Sequence, residues 1–268
     1  MAQVIVLVQA RMNSTRFPSK VLAQFCCLPM LVYQVRRFQQ AGWRTGVLCP
    51  RGEEALLALR RQGMPVHQVY GNPNDVLGRY ARYARAMVRP GTVIARVCAD
   101  CPLVCPYLLR DILAHWQATP GLAYLGMGPG WPDGLGDYDL FTREALLQMD
   151  AEATLPSDRE HVVPWAWKNS DRFPQATYPA LDWVHARQWP KLSVDTPEDL
   201  AYVKQVAQVV TAQCGEAYTW LNVLSTIETT PALQRHYAPM NEAYTAQAAQ
   251  EQDLASMTWE EARYRLDT

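Results

Sequence analysis

Residues 9–22 read QARMNSTRFPSKVL and follow directly on an apolar, β-branched run from Val4 to Val8. That run reads as a strand buried on both faces, as in parallel sheets, because no polar residue alternates with the apolar ones. The chain turns helical from about Pro29, so the quoted stretch is the loop leaving the carboxyl end of a first strand. Open α/β sheets bind their ligands at that edge. The loop carries Arg11, Arg16 and Lys20, with Ser14 and Thr15 among them. Forked guanidinium donors, a mobile ammonium and two hydroxyls suit a polyanion such as a triphosphate. Exposed backbone N–H groups would complete the cradle. An exposed basic loop with no ligand is the competing reading, and spacing alone does not separate the two.

Working outward, the predicted order is strand and helix in alternation. A helix spans about Pro29 to Ala41, with Leu31, Val35 and Phe38 on one face. Thr45 to Pro50 is a strand, Glu53 to Gln62 a helix stopped by Gly63, and Pro65 to Tyr70 a strand. Asn74 caps a helix from Asp75 to about Met87. Thr92 to Val97 is a strand ending at Asp100, and Pro102 and Pro106 open a helix that ends near Trp116. Four such units predict a parallel, doubly wound sheet. Beyond Pro120 the pattern loosens. Leu122 to Met127, Tyr138 to Phe141, Phe173 to Ala180 and Lys191 to Val194 read as strands. Thr142 caps a helix to about Met149. Ser157 opens another at capping-box spacing from Glu160, bounded by Pro164. Asp195-Thr196-Pro197-Glu198-Asp199 is a helix start, with a cap, Pro in the first position and acids in the first turn. The division expected is a domain over 1–215 and a helical extension over 216–268, whose last part, Asn241 to Leu266, reads as an arm or an oligomer contact.

Composition sets bounds on function. The 268 residues are 49% hydrophobic, with 9 Trp and 13 Tyr, enough to bury the core of one large domain. A net charge of −1 gives no chain-wide attraction to nucleic acid, so positive charge that matters must be local. Seven Cys is an odd number, and Met1-Ala2-Gln3 carries no charged leader. Val4 to Val8 is too short for a signal or a membrane span. These features predict a reduced cytoplasmic protein without membrane insertion.

Asp100 ends a central strand at the same sheet edge as the Arg11 to Lys20 loop, and Asp195 follows Leu192-Ser193-Val194 and can reach that edge. Two carboxylates beside a phosphate loop are what Mg²⁺ uses, since it takes one or two acids plus substrate phosphates. Pure capping is the other reading of Asp195. Asp75 and Arg79, one turn apart, read as a solvated surface ion pair. Asp133-Gly134 and Asp137 lie on an irregular loop of the kind that carries ligand groups as well as plain turns. Arg159, Glu160 and His161 read as a mixed-charge surface helix, with an acidic substrate or a proton transfer as the other reading of His161. Cys98, Cys101 and Cys105 lack the fourth ligand that structural zinc needs, so they read as small packing residues. No Gly-x-x-x-x-Gly-Lys loop and no dinucleotide fingerprint is present.

Taken together, the blocks VQARMNSTRFPSKVL, GNPNDVLGRY, ARVCADCPL, PDGLGDYDLF, SDREHVVPW and LSVDTPEDL make the chain resemble a known group. This is the cytidylyltransferases of the spore-coat polysaccharide biosynthesis protein F family, relatives of CMP-KDO and CMP-sialic acid synthetases. The late TTPALQRHYAPMNEAY is similar to that family's tail. The resemblance implies a Rossmann-like three-layer α/β/α sandwich with a mixed, mostly parallel sheet. It implies transfer of CMP from CTP to an acidic sugar, phosphonate or phosphate acceptor, with Mg²⁺ as cofactor and pyrophosphate released. Polysaccharide biosynthesis is the implied setting and a homodimer the assembly to test.

Carried over by position, Gln9, Ala10, Arg11, Ser14, Thr15, Arg16 and Lys20 hold the nucleotide, with Asp75, Arg79 and Arg96 lining its pocket. Arg11, Arg16, Lys20 and Asp100 are the catalytic set, and Asp100 and Asp195 hold the metal. Asp133, Gly134, Arg159, Glu160 and His161 face the acceptor. Asn13 and Ser19 stand where that family has Gly, and Gly136 is an addition in the acceptor loop. Asn tolerates a left-handed backbone, whereas Ser19 is strained if its position needs positive φ. Two other classes compete: a glycosyltransferase of the same fold, against which Cys98-Ala99-Asp100 offers one acid where two are usual, and a nucleotide-binding regulator without catalysis.

Overall fold

A computed structural model of the chain describes residues 3–234. The elements run β1 (Val4–Gln9), β2 (Gln24–Phe25), β3 (Leu28–Pro29), α1 (Met30–Gln40), β4 (Thr45–Pro50), α2 (Glu54–Ala58), β5 (Val66–Val69), α3 (Val76–Met87), β6 (Val93–Cys98) and α4 (Leu108–Ala118). Then follow β7 (Tyr124–Met127), β8 (Asp139–Thr142), α5 (Arg143–Glu152), α6 (Pro156–His161), α7 (Pro164–Lys168), β9 (Gln175–Tyr178), α8 (Asp182–His185), α9 (Pro197–Cys214) and α10 (Trp220–Thr229). Seven strands form one sheet in the order β5-β4-β1-β6-β8-β7-β9. β1 pairs in parallel with β4 and β6, while β8 runs antiparallel to both β6 and β7. The result is a mixed, mostly parallel sheet between two helical layers.

Alternation along the strands decides the layers. Val6 and Val8 of β1 with Ala95 and Val97 of β6 pack toward α1, α4, α9 and α10. Ile5 and Leu7 with Ile94 pack toward α3, α5 and α7. A one-residue slip of β1 would exchange the two sets, so two buried faces fix its register. Trp220, Val223 and Leu224 of α10 share a core with the sheet. The arm expected at Asn241 to Leu266 lies outside the described residues.

Several local expectations are corrected. Asp75, not Asn74, caps α3, its carboxylate accepting from the Gly78 N–H at 3.0 Å. α6 starts at Pro156 with Leu155 as cap, so Ser157 makes no capping box. α4 begins at Leu108, leaving Pro106 in the preceding turn. Lys191 to Val194 joins no ladder: the Leu192 N–H reaches the Asp133 carbonyl at 2.9 Å and the Val194 N–H the Asp100 carbonyl at 2.8 Å. These two bonds go to different segments, so the stretch stitches two loops rather than extending the sheet. Among the described residues no helix is long and apolar enough to cross a membrane.

Candidate active site

A cavity of about 750 Å³ opens at the carboxyl ends of β1 and β6. Gln9, Cys98 and Ala99 line it from the strand ends, and the loop after β1 forms one wall. At its base Lys20 joins two acids far apart in sequence. Lys20 Nζ donates to Asp100 Oδ2 at 2.8 Å, to Asp195 Oδ1 at 3.1 Å and to the Val194 carbonyl at 2.7 Å. The Lys20 side chain is 11% exposed, so this triad sits largely out of water. Burial alone would lower the Lys20 pKa, but Asp100 and Asp195 outweigh it and raise it. Burial would raise the Asp195 carboxyl, yet Lys20 and Lys191 hold it down at about 2. Asp195 is presented by the start of α9, where Thr196 and Asp199 form a reciprocal capping box.

The turn that delivers Lys20 is strained. Ser19 has φ 61° and ψ 18°, a left-handed conformation, and its side chain makes no capping bond. Its N–H donates to the Met12 carbonyl at 2.9 Å, which closes the loop. Asn13 is not among the positive-φ residues, so its substitution for Gly needs no special tolerance. Ser19→Gly should therefore stabilise the fold by about 0.5–1 kcal/mol, relief of the left-handed penalty exceeding the added chain entropy. Urea unfolding of the two proteins measures this, and a lower midpoint for the Gly variant would contradict it.

Each remaining cation of the loop is also held by an acid. Arg11 Nη2 pairs with Glu160 Oε1 at 3.0 Å and its Nη1 donates to Asn74 Oδ1 at 3.2 Å. Arg16 Nη2 pairs with Asp195 Oδ1 at 3.1 Å. Ser14, Thr15 and His161 line the cavity as well. Ala10 is buried and its N–H bonds the Leu48 carbonyl at 3.0 Å, so it serves the strand end rather than the cavity.

Six further expected site residues do not line this cavity, each for a visible reason. Asp75 is the α3 cap and pairs with Arg82 at 3.0 Å and Arg159 at 2.8 Å. Arg159 is spent tying α6 to neighbouring helices, through Asp75 and through Asp150 Oδ1 at 2.7 Å. Arg79 is 1% exposed and donates to the Pro73 carbonyl at 2.5 Å, so it holds the 73–74 turn from beneath. Arg96 faces Asp139 across the β6–β8 ladder at 2.5 Å, a cross-strand ion pair inside the sheet. Asp133 lends its carbonyl to Leu192 at 2.9 Å. Gly134 has φ +81°, and a Cβ there would meet the Leu192 and Ser193 backbone at 2.2 Å. That glycine allows two segments to touch.

The lining residue Glu53 and a strained turn just after His161 escaped the sequence reading. Glu53 accepts from the Met12 N–H at 3.2 Å and so braces the loop. It follows β4 at the same sheet edge, a position the strand-end rule covers. Val162 has φ 76° and ψ −61°, and the Val163 N–H donates to the His161 carbonyl at 3.0 Å. This is the rarer, strained hand of the γ-turn. It follows Glu160 and His161 directly, and no residue type in SDREHVVPW signals it.

For a metal, the donor set is two carboxylates and no third: among the described residues no group of three or more His, Cys, Asp and Glu gathers. Two hard oxygen donors with room for phosphates fit a hard divalent cation completed by its substrate. Asp100 is the more available acid, 31% exposed, with only the Cys101 thiol at 3.6 Å on its Oδ1.

A family model described as Cytidylyltransferase matches residues 5–216. A cytidylyltransferase from Leptospira borgpetersenii serovar Hardjo-bovis is similar in structure with a TM-score of 0.76 and 24% identity, over 89% of this chain and 100% of that one. A CMP:2-keto-3-deoxy-manno-octonic acid synthetase complexed with CTP is similar with a TM-score of 0.58 and 15% identity, over 79% of this chain and 99% of that one. Rv0371c of Mycobacterium tuberculosis, in complex with manganese, gives a TM-score of 0.53 and 21% identity, over 76% of this chain and 98% of that one.

Proposed function

The chain belongs to the cytidylyltransferase family, and on that premise we propose that it transfers CMP from CTP to an acidic small-molecule acceptor, releasing pyrophosphate. The observation that carries the reading is the meeting of Lys20, Asp100 and Asp195 in a cavity also lined by Arg11, Ser14, Thr15 and Arg16. Phosphoryl-type transfer asks for positioning and charge neutralisation rather than covalent help, and these are the groups for it.

Before substrate arrives, Arg11 and Arg16 are held by Glu160 and Asp195. A triphosphate would draw both guanidiniums onto its oxygens, so that the cations keep an anionic partner while Glu160 and Asp195 Oδ1 are released. Lys20 and Arg16 then offset the charge that builds on the leaving pyrophosphate. Asp100 and Asp195 would hold Mg²⁺, which supplies neutralisation and polarisation of the reacting phosphate. Glu160 and His161, on the far wall, would meet the acceptor. A sugar acid, phosphonate or phosphate suits a site rich in guanidinium and ammonium groups; an ionised phosphonate or phosphate oxygen attacks without a base, whereas a sugar hydroxyl gives up its proton as it attacks and needs one.

Incubation with CTP, Mg²⁺ and a panel of acidic sugars, phosphonates and phosphates, with pyrophosphate measured, tests this. Pyrophosphate released only with an acceptor present is the expected result. Consumption of a nucleotide-sugar without pyrophosphate would indicate a glycosyltransferase, and binding without turnover a regulator.

A further inference from the structure

Lys191 stands behind the acid pair, outside the cavity lining. Its Nζ donates to Asp195 Oδ2 at 2.8 Å and to Asp199 Oδ2 at 2.7 Å, and its side chain is 15% exposed. Asp199 is fixed in turn, accepting from the Asp195 N–H at 2.9 Å and the Thr196 N–H at 3.1 Å. The other Asp195 oxygen, Oδ1, receives Lys20 and Arg16, each at 3.1 Å. Both oxygens of Asp195 are therefore taken by cations. Asp100, Asp195 and Asp199 face Lys20, Arg16 and Lys191, and Asp137 comes near Asp100 through the Cys101 thiol, 3.6 Å from each.

A divalent ion arriving alone must pull Asp195 away from three cations. A triphosphate changes the balance. It competes for Arg16 and Lys20, which line the cavity, and not for Lys191, which does not. Asp195 Oδ1 is then released while Oδ2 stays anchored.

We infer that Lys191 is a positioning residue: it anchors Asp195 Oδ2 and leaves Oδ1 turned toward the cavity, so that a divalent cation is held only together with a nucleotide triphosphate. This rests on the nucleotide reading of the site. Replacing Lys191 by a neutral residue would take one cation from Asp195 and leave Asp199 without its ion pair, and the freed carboxylate oxygens attract a divalent ion at short range.

The test counts free Mn²⁺ by electron paramagnetic resonance over the full-length protein, without and with CTP. The wild type should bind Mn²⁺ at least tenfold more weakly without CTP than with it. Lys191→Met should bind bare Mn²⁺ at least tenfold more tightly than the wild type, Lys191→Arg should behave as the wild type, and adding Asp195→Asn to Lys191→Met should remove the gain. Bare Mn²⁺ bound by the wild type as tightly as with CTP would overturn the inference, whether or not the variants fold. So would a folded Lys191→Met with no gain. A wild type that fails to bind CTP would instead sink the nucleotide reading, an outcome read in a separate arm.

Discussion

Asp100→Asn is expected to lower pyrophosphate release by about a thousandfold while the fold stays intact, the size seen when one preorganised electrostatic group is lost. Asp100 touches the two things the chemistry needs: Lys20 at 2.8 Å and open space in the cavity. Its backbone role survives the change, since the carbonyl that accepts from Val194 is untouched. Asparagine keeps one oxygen for Lys20, so the loss of a charge-assisted bond should reduce stability by only about 1–2 kcal/mol. What disappears is the carboxylate charge. CTP affinity should change far less than turnover, because the loop cations remain. Near-normal pyrophosphate release by a folded Asp100→Asn protein would refute the role given to this acid.

Lys20→Met should damage both stability and turnover. Removing the ammonium leaves Asp100 without its ion-pair partner and strips Asp195 of one of three. The acids are 31% and 23% exposed, so water softens the penalty to about 2 kcal/mol, below the figure for a fully buried pair. The pH dependence has a definite sign. Asp195 is held at about 2, below an ordinary carboxyl, so its stabilisation is present above about pH 4 and is lost as pH falls toward 2. The Lys20 pKa is raised, so its contribution is present below the ordinary lysine value and is lost as pH rises through the raised one. The stability gap between wild type and Lys20→Met should therefore be flat through neutral pH and close toward acid. Denaturant unfolding at a series of pH values measures it, and a gap that widens on acidification would contradict the assignment.

Much of this was readable from residue types. The β-branched runs at Val4 and Val93 announced central strands, and strand-end position alone gathered Arg11, Lys20 and Asp100 at one edge. Asp195 is expected at that edge from a preceding strand, Leu192 to Val194, that joins no ladder; it reaches the edge because the Val194 N–H bonds the Asp100 carbonyl at 2.8 Å. Ser19 was flagged as a residue standing where glycine is usual, and its left-handed φ of 61° confirms that the position asks for one. What stayed illegible is partner choice. Arg96 and Asp75 carry the residue types of a nucleotide pocket and Arg159 those of an acceptor site, yet each is consumed by an ion pair with a residue 43 or more positions away or on another helix. Nothing local says whether an arginine will meet a ligand or an aspartate across a ladder. The same holds for Lys191, whose two partners lie four and eight residues on, in a segment whose path only the folded chain reveals.

The most direct test is a crystal structure of the protein grown with CTP and Mg²⁺. The account predicts the triphosphate against Arg11, Arg16 and Lys20, with the metal bound by Asp100 and the freed oxygen of Asp195. A nucleotide seated elsewhere, or a metal that leaves Asp195 in its three-cation grip, would contradict it.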